Sequence, residues 1–128
     1  MKLMVAAGGT GGHIFPALSV VLQWRERHPD DAFVWVGTSR SRERELCERH
    51  GIDLHLVEVV GMKRSLGVGL IRSVVAFARA VGAMRAVIRR EEPDAVLAFG
   101  GYVSAPVLTA ARLCRVPYYL QEQNSVPG

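Results

Sequence analysis

The segment of this chain best suited to chemistry is Gly8-Gly9-Thr10-Gly11-Gly12-His13. Its four glycines let a backbone approach a ligand closely. A helix opening directly after them offers unpaired N–H groups and a partial positive charge, a setting that suits phosphate. A tight turn alone would need fewer glycines. His13 stands at the lip of this segment. Its imidazole can take a proton from a substrate hydroxyl, or it can cap the loop or hydrogen-bond a phosphate. Gly100-Gly101-Tyr102-Val103-Ser104 repeats the device, with Ser104 placed to cap a helix and donate to a phosphate. Two such turns on one sheet edge would form a cradle for a diphosphate or for two ligands. Glu122 and Asn124 supply a carboxylate and an amide that can hold sugar hydroxyls, or they belong to an ordinary loop. His28, His50 and His55 have no motif around them and read as solvated or structural.

Better-known phosphate sites can be tested on the same residues. A dinucleotide GxGxxG beginning at Gly9 needs glycine at position 14, which is Ile14. The acid expected after the second strand is also missing, because that strand runs into Gly37-Thr38-Ser39-Arg40. No Gly-Lys-Ser or Gly-Lys-Thr follows the first glycines, which excludes a P-loop. A Rossmann-like nucleotide-binding protein of another kind is a minor alternative.

The elements that position these residues alternate strictly. Lys2–Ala7 is a short apolar run stopped by glycines and reads as a buried parallel strand. Ile14–His28 reads as a helix, with Pro16 tolerated in its first turn. Ala32–Val36 is a strand, Ser41–His50 a charge-rich helix with Gly51 as its C-cap, and Asp53–Val60 a strand. Gly61–Gly69 reads as a loop. Leu70–Arg90 reads as a helix whose residues Leu70, Val74, Phe77, Val81, Met84 and Ile88 share one apolar stripe, with Arg72, Arg79 and Arg90 opposite. Ala95–Phe99 is a strand, Val103–Cys114 a helix and Val116–Leu120 a strand. The order predicts an α/β fold, a Rossmann-like doubly wound parallel sheet with helices on both faces. Ligands of such sheets bind beyond the carboxyl ends of the strands, where the strand order switches. The segments Gly8–His13, Gly100–Ser104 and Gln121–Asn124 are all expected there.

The 128 residues suit one domain and fall short of two. With 49% hydrophobic and 22% charged residues, the chain is neither disordered nor fibrous. Cys47 and Cys114 form no CxxC pair, which argues against a zinc site and for reduced thiols. No apolar run is long enough to cross a bilayer, and the apolar start is too short for a signal peptide. The net charge is +4, yet seven basic residues and no acid lie between Gly61 and Arg90, leaving a slightly acidic remainder. Such a stretch is a solvated face or a surface for anions. Lys63, Arg64 and Arg72 mixed with Leu66, Val68, Leu70 and Ile71 fit docking on an anionic membrane surface. Nucleic acid is disfavoured, because aromatics do not interleave with the basic residues.

Together these residues resemble the N-terminal half of the MurG family, glycosyltransferase family 28. The matching motifs are Gly8-Gly9-Thr10-Gly11-Gly12-His13 with Phe15-Pro16, then Gly37-Thr38, Pro93-Asp94, Gly100-Gly101-Tyr102-Val103-Ser104 and Glu122-Gln123-Asn124, in order along essentially the whole chain. The resemblance implies one half of a two-domain GT-B transferase that is inverting, metal-independent and without a cofactor. Such enzymes move N-acetylglucosamine from UDP-N-acetylglucosamine to undecaprenyl-diphospho-muramoyl-pentapeptide in peptidoglycan synthesis, as peripheral proteins on the cytoplasmic face of the cell membrane. Carried over by motif, Thr10, Gly11, Gly12 and Asn124 bind the donor. Gly9, Gly100, Gly101, Tyr102 and Ser104 cradle the acceptor diphosphate. His13 is the first candidate for the base on the muramoyl 4-hydroxyl, and Glu122 is the second. The family usually has His before Glu-Gln-Asn, where this chain has Gln121. Residues 1–128 are thus expected to be the acceptor-binding N-terminal Rossmann-like domain, with the C-terminal donor-binding domain absent from this chain and required as a partner. The alternative is a non-catalytic lipid-acceptor-binding subunit of a split transferase.

Overall fold

The computed structural model describes residues 1–7, 11–37, 41–56, 68–100 and 103–121, and of residues 11–13, 41, 42 and 68 the backbone alone. In chain order the elements are β1 (Lys2–Ala6), α1 (Gly11–Arg27), β2 (Ala32–Gly37), α2 (Ser41–His50), β3 (Asp53–Leu56), α3 (Val68–Glu91), β4 (Ala95–Ala98), α4 (Ser104–Leu113) and β5 (Tyr118–Leu120). The five strands form one parallel sheet in the order β3-β2-β1-β4-β5. The predicted doubly wound sheet is therefore present.

Period-2 alternation divides the core. Met4, Ala6, Val34, Val36, Val96 and Ala98 point to one face and pack with Val81, Met84 and Ile88 of α3 and Val107, Ala110 and Ala111 of α4. Leu3, Val5, Phe33 and Trp35 point to the other face, toward Ile14, Ala17 and Val21 of α1 and Cys47 of α2. Right-handed crossovers explain this division. The chain steps from β1 to β2 to β3 in one direction, then crosses back through α3 to β4 on the far side of β1, so α3 and α4 cover the opposite face.

Helix ends obey local chemistry where it is legible. Gly51 has φ +63°, its N–H donates to the Glu48 carbonyl, and Ile52 N–H donates to the Cys47 carbonyl at 2.9 Å. This is the Schellman arrangement expected of a C-terminal glycine. The end of α4 has the same hydrogen bonds, Arg115 to Arg112 and Val116 to Ala111, but the left-handed residue is Arg115 at φ +59°.

Three expectations change. Helix α1 starts at Gly11 instead of Ile14, so the glycines and His13 form its first turn and Pro16 lies inside the helix. Pro16 has no N–H to give the Gly12 carbonyl. β5 is shorter than predicted, because Val116 is used to close α4. The predicted apolar stripe of α3 splits in two. Val81, Met84 and Ile88 are buried, but Leu70, Val74 and Phe77 are exposed, at 59%, 60% and 36%. The reason is length. Twenty-four residues of helix extend about 36 Å, whereas a four-residue strand such as β4 extends only about 13 Å. Glu91 at the end of α3 holds Lys2 at the start of β1, with Oε2 to Nζ at 2.6 Å. The helix therefore runs against the strands, and its first turns project past their carboxyl ends.

Candidate functional site

The carboxyl ends of the strands converge through backbone hydrogen bonds. Ala7 N–H donates to the Val36 carbonyl at 3.2 Å, Phe99 N–H to the Ala6 carbonyl at 2.9 Å, and Gln121 N–H to the Ala98 carbonyl at 2.8 Å. The exits from β1, β4 and β5 thus lie side by side. The strand order switches direction between β1 and β4, which is where ligands of open α/β sheets bind. Two of the residues that leave this edge are described at the backbone level, Gly100 after β4 and Gly11 at the start of α1.

Gly100 is buried and has φ +88°, a conformation that favours glycine. Its carbonyl accepts a hydrogen bond from the buried Ser104 hydroxyl at 2.7 Å. This corrects the capping expectation. The N-cap position is Val103, which makes no side-chain cap bond, and Ser104 is the first residue of α4. The one hydroxyl proton is committed to Gly100, so it is not aimed at a phosphate. A ligand can still meet the first-turn amides of α4, which have no partner within the helix. Pro106, in that same turn, contributes no N–H.

Gly11, Gly12 and His13 form the first turn of α1, and the His13 side chain is outside the described residues. Gly9, Thr10, Gly101, Tyr102, Glu122 and Asn124 lie outside the described residues, as do Lys63, Arg64 and Leu66. Val68 begins α3, and its side chain is not among those described. Leu70, Ile71 and Arg72 are exposed on the projecting end of α3. Val74, Val75 and Phe77 are likewise exposed, and so is Arg79 on the opposite side of the helix from Leu70, Val74 and Phe77. Amphipathic periodicity signals a helix face, which includes Val74 and Phe77, but cannot tell where along its length the sheet stops.

One buried acid was also missed. Glu43, in the first turn of α2, is completely buried. The available signal was its position as the one acid in that turn, just beyond Gly37-Thr38. Cys47, a turn later, has its thiol pushed up to about 11 by burial and by the Glu43 carboxylate. This makes it an inert structural thiol. Among the described residues no group of three or more His, Cys, Asp or Glu side chains gathers as a metal site, and no helix is long and apolar enough to cross a membrane.

A curated Bacillus licheniformis protein is 39% identical over all 128 residues, which span 35% of its length. Its name is UDP-N-acetylglucosamine–N-acetylmuramyl-(pentapeptide) pyrophosphoryl-undecaprenol N-acetylglucosamine transferase. The crystal structure of Acinetobacter baumannii MurG superposes with a TM-score of 0.79 at 34% identity, covering 99% of this chain and 36% of that one. UDP-GlcNAc 2-epimerase from Neisseria meningitidis, at 17% identity and a TM-score of 0.63, covers 94% of this chain and 32% of its own, and shares the fold alone. The chain thus spans about a third of the length of the curated relatives it matches. The model of the glycosyltransferase family 28 N-terminal domain matches residues 3–128, and the chain belongs to that family.

Proposed function

We propose that this chain is the acceptor-binding N-terminal domain of an inverting transferase that moves N-acetylglucosamine from UDP-N-acetylglucosamine to undecaprenyl-diphospho-muramoyl-pentapeptide. A C-terminal domain in the same protein would hold most of the donor. The observation that carries this reading is the adjacency of β1 and β4 at the switch point. It brings the exit to Gly9–His13 next to the exit to Gly100–Ser104, as a site holding a sugar nucleotide against a lipid diphosphate requires.

In this reading, Thr10, Gly11, Gly12 and Asn124 contact the donor. Gly9, Gly100, Gly101, Tyr102 and the first turn at Ser104 receive the acceptor diphosphate. His13 removes the proton from the muramoyl 4-hydroxyl as that oxygen attacks the anomeric carbon, and UDP leaves from the opposite side, which inverts the centre. Glu122 is the second candidate for the base. No metal or cofactor enters these steps.

The projecting end of α3 supports peripheral docking on the anionic cytoplasmic surface of the cell membrane. Leu70, Ile71, Val74 and Phe77 are exposed on this end of the helix, as are Arg72 and Arg79, and Lys63, Arg64, Leu66 and Val68 precede them in the sequence. Because this end lies past the carboxyl edge of the sheet, a docked membrane would present its lipid-linked acceptor on the side of the glycine turns. The test is transfer of labelled N-acetylglucosamine to the lipid-linked acceptor by the full-length protein. Absence of transfer, with the donor bound normally, would overturn the reading.

A further inference from the structure

Glu43 is the only charged side chain among the described residues that is completely buried. A carboxylate withdrawn from water costs several kcal/mol unless it is compensated, and an apolar residue of similar length would fill the space without that cost. Part of the compensation is local, because the first turn of α2 carries unpaired amides and the positive end of the helix.

Its position is unusual. A Cβ built on Gly37 would lie 2.1 Å from Glu43 Oε2 and 3.0 Å from its Cδ, so the carboxylate rests directly on the Gly37 backbone. The Ala7 carbonyl lies 3.3 Å from the same point. Gly37 ends β2 and Ala7 directly follows β1. Ala7 is further held by its N–H to the Val36 carbonyl and by the Trp35 indole, which donates to the Ala7 carbonyl at 3.1 Å. The buried carboxylate thus sits where β1 and β2 release the chain toward Gly9–His13 and toward residues 38–40.

We propose that Glu43 is a positioning residue for the site, its carboxylate seated on Gly37 so that α2 is tied to the carboxyl ends of β1 and β2 and fixes where the chain leaves β1 toward His13. Gly37 is its complement, since any side chain there would take the space of the carboxylate. The catalytic consequence rests on the transferase reading above, whereas the geometric one does not.

Both are tested in the full-length protein by transfer kinetics and by amide deuterium exchange. Glu43→Ala is expected to lower kcat/KM for transfer about tenfold, as misplaced binding and catalytic groups do. Deuterium uptake should rise in peptides spanning residues 4–14 and remain unchanged in residues 104–113. Gly37→Ala alone should reproduce the loss, but it should add less than about twofold to Glu43→Ala, because the clash partner is gone. Glu43→Gln keeps the shape, removes the charge and serves if Glu43→Ala does not fold, with the same rise in uptake expected at 4–14. Unchanged uptake there, or a Gly37→Ala effect that adds in full, overturns the proposal. If the unaltered protein transfers no sugar, the transferase reading falls, and the exchange experiment still decides the role of Glu43.

Discussion

The hydroxyl of Ser104 donates to the carbonyl of Gly100 at 2.7 Å, closing the turn between β4 and α4 from the inside. Both residues are buried, and Gly100 stands at φ +88°. Gly100→Ala should destabilise the fold by about 1–3 kcal/mol through the strained backbone. Ser104→Ala should cost about 1 kcal/mol from the lost hydrogen bond. Urea unfolding measures both. A Gly100→Ala protein as stable as the parent would mean that the turn is free to adopt another shape.

If His13 is the base, His13→Ala should lower kcat about a hundredfold or more, the range for a lost general base. Donor affinity should change far less. The comparison is steady-state transfer set beside UDP-N-acetylglucosamine titration. An unaltered kcat would leave His13 with only a structural or phosphate-binding role and turn attention to Glu122.

The exposed start of α3 gives a prediction about membranes. Replacing Leu70, Ile71 and Val74 with serine should weaken sedimentation of the full-length protein with phosphatidylglycerol vesicles. These side chains are exposed, so the melting temperature should hardly move. Arg72→Glu should weaken binding further at low salt, and less at high salt where charge is screened. Equal sedimentation of all variants would return this surface to an ordinary solvated face.

Glu91 links three elements. It accepts a hydrogen bond from Lys2 at 2.6 Å, and its other oxygen lies 3.0 Å from His55 Nε2. The hydrogen bond from Lys2 comes first in lowering its pKa, and the bond to His55 adds to it. A lowered folded-state value means that stabilisation is complete above the ordinary carboxylate pKa of about 4.3 and is lost as pH falls through the lowered folded value. Thermal melts across this range should therefore fall more steeply for the parent than for Glu91→Gln. Parallel curves would show that these contacts add nothing to acid stability.

Much of this fold follows from local signals. Short apolar runs ended by glycine mark β1, β2 and β4, an alternating run marks β3, and longer segments between strands mark the helices, so a parallel sheet covered on both faces follows from the sequence. Gly51 marks the end of α2 because only glycine adopts its conformation at no cost. Arg115 takes the same conformation and carries no such mark, so the last strand was placed two residues too early. The glycine segments are assigned to the carboxyl ends of β1 and β4 because each directly follows its strand in the sequence.

Other features depend on distance in space, to which sequence spacing is blind. The stripe on α3 has one period from Leu70 to Ile88, yet half of it is core and half is surface. The difference lies in how far the sheet reaches beneath the helix, a property of the strands and not of α3. Ser104 has the residue type and position of a cap, but a carbonyl four residues back competes for its one proton. Glu43 reads as one charge in a charged helix until β2 brings Gly37 against it. The elements and their order follow from local sequence signals, because strand and helix periods are written residue by residue. Tertiary structure alone decided which apolar residues remain in water and which carboxylate does not, because burial depends on what lies opposite.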